Sequence, residues 1–324
     1  MTKSPLSGQI FQAIPEFEDH LKQELKLTGR AADFPEIWGP FYHVKNDSNP
    51  APVFWNRNIW LEPYRIEFDS ISEAAAALRN IQRNWAPVFF TQFRRGALIT
   101  ERLPPISAKK RPFPWLCPDA PVGAFTLLDA HTMIASPRCS SPFPAGVIEF
   151  EEDKEGPPSR AYLKLWEALV RCRKWPLPGE KCLDAGASPG GWTWALAKLG
   201  ASVTAVDRAA LEGKTAAMPG VRFIKHDAFT LMPKDSGPVD WVFSDVICYP
   251  PRLYEWIQKW LASGLCKNFI CTIKMQGAPD FETTRLFAEI SGSTVVHLHH
   301  NKHELTWIKV EERVPSFKQR ISPF

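Results

Sequence analysis

The chain has 324 residues, 44% of them apolar, with 30 prolines and a formal net charge of +4. That apolar content excludes a disordered scaffold, and the length fits two domains better than one. No run of about 18 apolar residues occurs, and the opening MTKSPLSGQI lacks the apolar stretch of a signal peptide. A soluble, cytoplasmic protein without a membrane role is expected.

In chain order, residues 1–145 read as a smaller α+β domain rich in loops, since many prolines fall there and proline supplies no backbone donor. A helix is predicted over Ser70–Trp85, with Ser70 or Ser72 as its cap. The stretch VFFTQFRRGALITERLPP reads as strand, turn and strand. Between Arg79 and Arg111 eight basic residues (Arg79, Arg83, Arg94, Arg95, Arg102, Lys109, Lys110, Arg111) face one acid, Glu101. The rest of residues 1–155 is acidic, so this segment is a candidate polyanion surface, although a solvated face with no partner fits it equally. The run PFPAGVIEFEEDKEGPP, mixing prolines and acids, marks the boundary, and 146–324 forms the second domain.

From Ser159 onward the pattern becomes regular. Ser159 can cap a helix through AYLKLWEALVRC. Five strands come next (KCLDAG, SVTAVD, VRFIKHD, VDWVFSD, NFICTIK), alternating with the helices GWTWALAKLG, PPRLYEWIQKWLAS and PDFETTRLFAEIS. Strands separated by helices imply a mostly parallel, doubly wound, Rossmann-like sheet. The closing strands TVVHLHH and ELTWIKV must pair antiparallel, because so few residues join them, and bring the sheet to seven strands.

The chemistry starts at Asp184-Ala-Gly-Ala-Ser-Pro-Gly-Gly, where a strand turns into a helix. Gly186, Gly190 and Gly191 allow close approach of the backbone to a ligand, at the strand ends where open α/β sheets bind. Ser188 stands where a dinucleotide fingerprint needs its second glycine, and the loop has no G-K-[ST], so NAD is disfavoured and a triphosphate loop excluded. The loop resembles the glycine-rich nucleoside loop of S-adenosylmethionine-dependent methyltransferases, which implies that cofactor. Asp207, ending the second strand, can accept from ribose hydroxyls, and Asp227, ending the third, can meet the adenine amino group. Each could instead merely cap the next helix.

Lys164 lies in the first helix of this half, Asp245 ends the fourth strand, Lys274 the fifth, and Glu304 opens the last. This order resembles the lysine-aspartate-lysine-glutamate tetrad of the FtsJ-like RNA ribose 2′-O-methyltransferases, particularly those of large-subunit ribosomal RNA. The lines SPFPAG, PSRAYLKLWEA, LDAGASPGGWT, AVD, SDV and IKM carry the likeness across about residues 140–310. The family's N-terminal RNA-binding region, with its THUMP domain, does not map residue by residue onto this shorter half. The sequence departs from the family at Val246-Ile-Cys-Tyr-Pro-Pro after Asp245, and at Ser188.

The resemblance implies transfer of a methyl group from S-adenosylmethionine to an RNA ribose, with Lys274 as general base and Asp245 beside the cofactor. Lys164 and Glu304 would position the ribose, and Ser159 would join Gly186, Ser188, Pro189, Gly190, Gly191, Trp192, Asp207, Asp227 and Asp245 as cofactor contacts. An alcohol needs a base to become a nucleophile, and a lysine near its ordinary pKa of about 10.4 is already protonated. Lys164 beside Lys274 is expected to depress that pKa by like-charge repulsion.

His297, His299, His300 and His303 lack a carboxylate or cysteine set suited to a metal, and a surface near the active-site rim is expected for them. Core packing is expected for at least one of Trp192 and Trp194. Two rivals to RNA methylation remain: an O-methyltransferase of a small molecule or protein, and a non-catalytic RNA-binding protein retaining the cofactor fold.

Overall fold

The computed structural model describes residues 1–30, 36–45, 51–107 and 109–311. The chain forms two compact units, Met1–Lys110 with Cys117–Glu149, and Arg111–Leu116 with Phe150–Phe324.

The first unit begins with β1 (Thr2–Pro5), β2 (Gln9–Ala13), α1 (Glu18–Leu27), β3 (Glu36–Trp38), β4 (Phe41–Val44) and β5 (Asn56–Trp60). It continues through β6 (Tyr64–Glu67), α2 (Ile71–Arg79), β7 (Trp85–Pro87), α3 (Phe93–Thr100), β8 (Gly123–Leu127) and β9 (Thr132–Ser136). Two sheets result, ordered β1-β6-β9-β8-β7 and β3-β4-β2-β5.

Helix α2 is capped by Ser70, whose Oγ accepts from the Glu73 amide at 3.2 Å. It stops at Arg79, short of the predicted Trp85, because Trp85 is drawn into the sheet: it pairs with Gly123, is buried, and donates its indole N–H to the Leu78 carbonyl at 2.9 Å. The stretch expected as strand, turn and strand instead contains α3. Gly96 and Ile99 bury one helical face, and Ile99 and Leu103 join Ala74, Ala75 and Leu78 in the core. A period of three to four residues, not two, decides this segment.

The second unit contains α4 (Tyr162–Arg171), β10 (Lys181–Ala185), α5 (Gly191–Lys198), β11 (Ser202–Asp207), α6 (Gly213–Ala216) and β12 (Val221–Lys225). It ends with α7 (Pro233–Ser236), β13 (Trp241–Ser244), α8 (Pro250–Ser263), β14 (Asn268–Lys274), α9 (Phe281–Glu289), β15 (Ser293–Val296) and β16 (Glu304–Lys309). Its seven strands run β12-β11-β10-β13-β14-β16-β15. The first five are parallel, and β16 lies antiparallel between β14 and β15. The order reverses at β10, with β11 on one side and β13 on the other. Such a switch point opens a crevice beyond the carboxyl ends of the strands.

Helix α4 starts at Tyr162, after an Ala161 N-cap that offers no side-chain bond, and Ser159 lies outside it. The short helices α6 and α7 escape a reading by periodicity, since one turn contains no period. Among the described residues no helix is long and apolar enough to cross a membrane.

Candidate active site

Strand β10 ends in the glycine loop. Gly186 has φ +82°, and a Cβ there would lie 2.9 Å from the Val246 Cα and 3.0 Å from its nitrogen. Only glycine lets the β10 loop lie so close to the chain leaving β13. Between these loops opens a cleft of about 430 Å³, lined by Gly186, Ser188, Asp207, Arg208, His226, Asp227, Ala228, Phe229, Asp245, Val246, Ile247, Arg252 and Lys274. That volume suits one nucleoside-sized ligand.

The strand-end acids face this cleft and also hold their own backbone. Asp207 accepts from the Ser188 amide at 3.0 Å and the Ala209 amide at 2.8 Å. Asp227 accepts from the Phe229 amide at 3.0 Å, and pairs with Arg208 and, at 3.3 Å, with Arg252. Burial raises the Asp227 pKa, but the Arg208 hydrogen bond and charge outweigh it and hold the carboxyl below its ordinary range. Neither acid caps the helix that follows it, where the N-caps are Glu212 and Met232; each holds its own loop and lines the cleft. Both cleft arginines lie within ion-pair reach of Asp227.

Of the other residues expected at the cofactor, Ser159, Pro189, Gly190, Gly191 and Trp192 do not line the cleft. Trp192 is buried and donates its indole N–H to the Ala161 carbonyl at 2.9 Å. The Pro189 carbonyl accepts from the Glu212 amide at 2.9 Å. A Cβ at Gly191 would fall 2.5 Å from Ser159 Oγ, so Ser159 seats the helix that leaves the loop. Beneath the loop Asp184 is fully buried, and burial pushes its carboxyl up to about 7 against the opposing bond from Thr193 Oγ1, at 2.6 Å.

The four tetrad residues form a closed ring of ion pairs. Lys164 Nζ lies 2.9 Å from both Asp245 oxygens and 2.9 Å from Glu304 Oε1. Lys274 Nζ lies 2.7 Å from Asp245 Oδ1 and 2.6 Å from Glu304 Oε2. Topology explains the meeting: β16 runs antiparallel to β14, so its first residue, Glu304, pairs across from the last residue of β14, Lys274. Thr272 Oγ1 donates to Asp245 Oδ1. Asp245 and Lys274 line the cleft, while Lys164 and Glu304 are buried behind them.

The expectation of a depressed Lys274 pKa is overturned. Burial disfavours the charge, but the Asp245 and Glu304 carboxylates outweigh it and hold Lys274 well above the ordinary lysine value. Burial likewise disfavours the Asp245 carboxylate, and the charges of Lys164 and Lys274 outweigh it, lowering its pKa.

Sequence reasoning missed Arg208, His226, Ala228, Phe229, Val246, Ile247 and Arg252 as lining residues. All but Arg252 lie within two positions of a strand-end aspartate, which was the available signal. The histidines differ from expectation too. His297 is buried, with Nε2 3.0 Å from the Lys302 carbonyl, and His297–His300 come after β15 rather than belonging to it.

A seven-stranded sheet of this order, with a glycine-loop cleft at its switch point, defines an S-adenosylmethionine-dependent methyltransferase. Residues 157–298 match the family model described as FtsJ-like methyltransferase. The "Ribosomal RNA large subunit methyltransferase M" of Xanthomonas oryzae pv. oryzae is 29% identical over 252 residues, which cover 72% of this chain and 68% of that protein. The protein of the same name from Halorhodospira halophila is 34% identical over 172 residues, covering 51% of this chain and 50% of its own. A fibrillarin pre-rRNA processing protein of Methanococcus jannaschii superposes loosely, with TM-score 0.36 and 20% identity over 45% of this chain and 74% of that one.

Gly186→Ala is expected to weaken S-adenosylmethionine binding at least tenfold in calorimetry, because the added methyl meets Val246 backbone and the positive φ is strained. Unchanged affinity would remove the loop from the cofactor site.

Proposed function

We propose that this chain transfers the methyl group of S-adenosylmethionine to the 2′-hydroxyl of a ribose in RNA, with large-subunit ribosomal RNA as its substrate in the cytoplasm. The observation that carries this reading is the ring of Lys164, Asp245, Lys274 and Glu304, with two members on the cleft wall. The names of the relatives support the choice of RNA.

The cofactor supplies a methyl group activated by a sulfonium. Gly186, Ser188, Asp207 and Asp227 would hold its nucleoside part, and Asp245 would lie beside its cationic part. Lys274 accepts the hydroxyl proton as the ribose oxygen takes the methyl group. It must first shed a proton of its own, since the carboxylates around it hold its pKa well above the ordinary lysine value. With two ammoniums and two carboxylates the ring is neutral; with Lys274 deprotonated it carries −1. That charge is complementary to one cationic methyl donor, whose presence makes the proton easier to lose. Lys164 meanwhile keeps both carboxylates paired.

The test supplies purified protein with radiolabelled S-adenosylmethionine and unmodified large-subunit ribosomal RNA, and maps the methylated residue. Label on a ribose 2′-oxygen is expected. Label appearing only on a protein or small molecule favours the first rival, and binding of RNA without transfer favours the second.

A further inference from the structure

The first unit leaves an aromatic pair in solvent. Phe89 is 41% and Phe93 61% exposed, with ring centroids 6.3 Å apart. Gly96 explains how they lie: a Cβ there would come within 2.6 Å of Phe89 Cε1, so that ring rests on the bare backbone of α3. Phe93 stands three residues before Gly96, on the same helical face.

The first turn of α3, the helix that bears Phe93, carries only basic charge: it contains Arg94 and Arg95 and no acid. That is the end of a helix where cations are disfavoured and anions welcome. Arg95 donates to the Asp69 carbonyl at 3.2 Å, Arg79 to the Arg102 carbonyl at 2.6 Å, and Arg102 to Ser72 Oγ. All three partners are neutral, and among the described residues no carboxylate is within ion-pair distance of these guanidinium groups.

Exposed aromatic rings beside uncancelled arginines match a partner that offers both phosphates and flat faces. A single nucleic-acid strand offers both, whereas a duplex hides its base faces in the stack. We propose that Phe89 and Phe93, with Arg94 beside them, form a stacking site for unpaired bases of an RNA strand. This rests on the reading of RNA as the substrate and adds which part of the RNA is held.

The experiment uses the full chain and fluorescence anisotropy with three probes: a labelled oligoadenylate of roughly twelve nucleotides, an RNA duplex of equal length, and anionic phosphatidylserine vesicles. Phe89→Ala/Phe93→Ala is expected to lower affinity for the single strand about 10- to 100-fold. Duplex and S-adenosylmethionine affinities should stay within about twofold, because neither ligand stacks on these rings. Both rings are exposed, so the core stays intact, and Phe93→Trp should retain single-strand binding. Arg94→Glu should weaken both RNAs alike and flatten their salt dependence. Unchanged single-strand affinity in the double variant, or an equal loss for strand and duplex, overturns the stacking site alone. A loss confined to vesicles overturns it in favour of a membrane surface. Absence of RNA binding by the unsubstituted protein overturns the substrate reading together with it.

Discussion

Lys274→Arg is expected to lower the single-turnover rate of methyl transfer by about 10²- to 10⁴-fold while leaving S-adenosylmethionine affinity close to that of the unsubstituted protein. A guanidinium can occupy the same ion pairs with Asp245 and Glu304, but it cannot be deprotonated in a protein. The substitution therefore separates holding the ring together from accepting a proton. Lys274→Ala should lose the rate as well, with a larger disturbance of the ring. The pH dependence comes from the raised pKa of Lys274. Below that pKa the deprotonated fraction grows about tenfold per pH unit, so the rate should climb through neutrality into the alkaline range without a plateau near pH 7. A flat rate between pH 7 and 9, or full activity in the arginine variant, would make Lys274 an electrostatic anchor rather than a base.

Asp245→Ala should damage stability and cofactor binding together. It removes the carboxylate that lies within 2.9 Å of both ammonium groups, leaving them to share Glu304 alone. Breaking a buried ion pair at one partner costs about 3–5 kcal/mol, or roughly 6–20 °C in melting temperature for a unit of this size. Asp245→Asn retains the shape and lacks the charge, so a comparable loss there assigns the effect to electrostatics. The contribution also has a pH window. The lowered pKa of Asp245 makes its share present above the unfolded value of about 3.9, and that share is lost as pH falls through the folded value. The raised pKa of Lys274 makes its share complete below about 10.4, and that share is lost as pH rises toward the folded value. Between roughly pH 4 and 10 the ring should stabilise the second unit; melting curves of the two variants should differ most from the unsubstituted protein within that window and approach it as pH falls through the folded Asp245 value. An Asp245→Ala protein that melts normally at pH 7 would show that Lys164 and Lys274 find other partners.

The sequence by itself determined most of the second unit. Its main strands and helices are each long enough to display a period, and the glycine loop, Asp207, Asp227 and the four tetrad residues stand at element ends or faces where a doubly wound sheet must gather them. Three matters were settled only by tertiary structure. The side on which Lys274 titrates depends on distances: the sequence contains two lysines and two carboxylates, and the antiparallel register of β14 and β16 brings Glu304, while the parallel pairing of β13 with β14 brings Asp245, within 2.7 Å of one ammonium. The fold of residues 88–105 depends on which face finds a core: Ile99 reaches it from a helix packed on α2, and Leu103 from the turn that follows that helix. Pro189 and Trp192 follow Ser188 in sequence yet neither is among the residues lining the cleft: the turn from strand to helix leaves Pro189 exposed and buries Trp192, and composition carries no record of which.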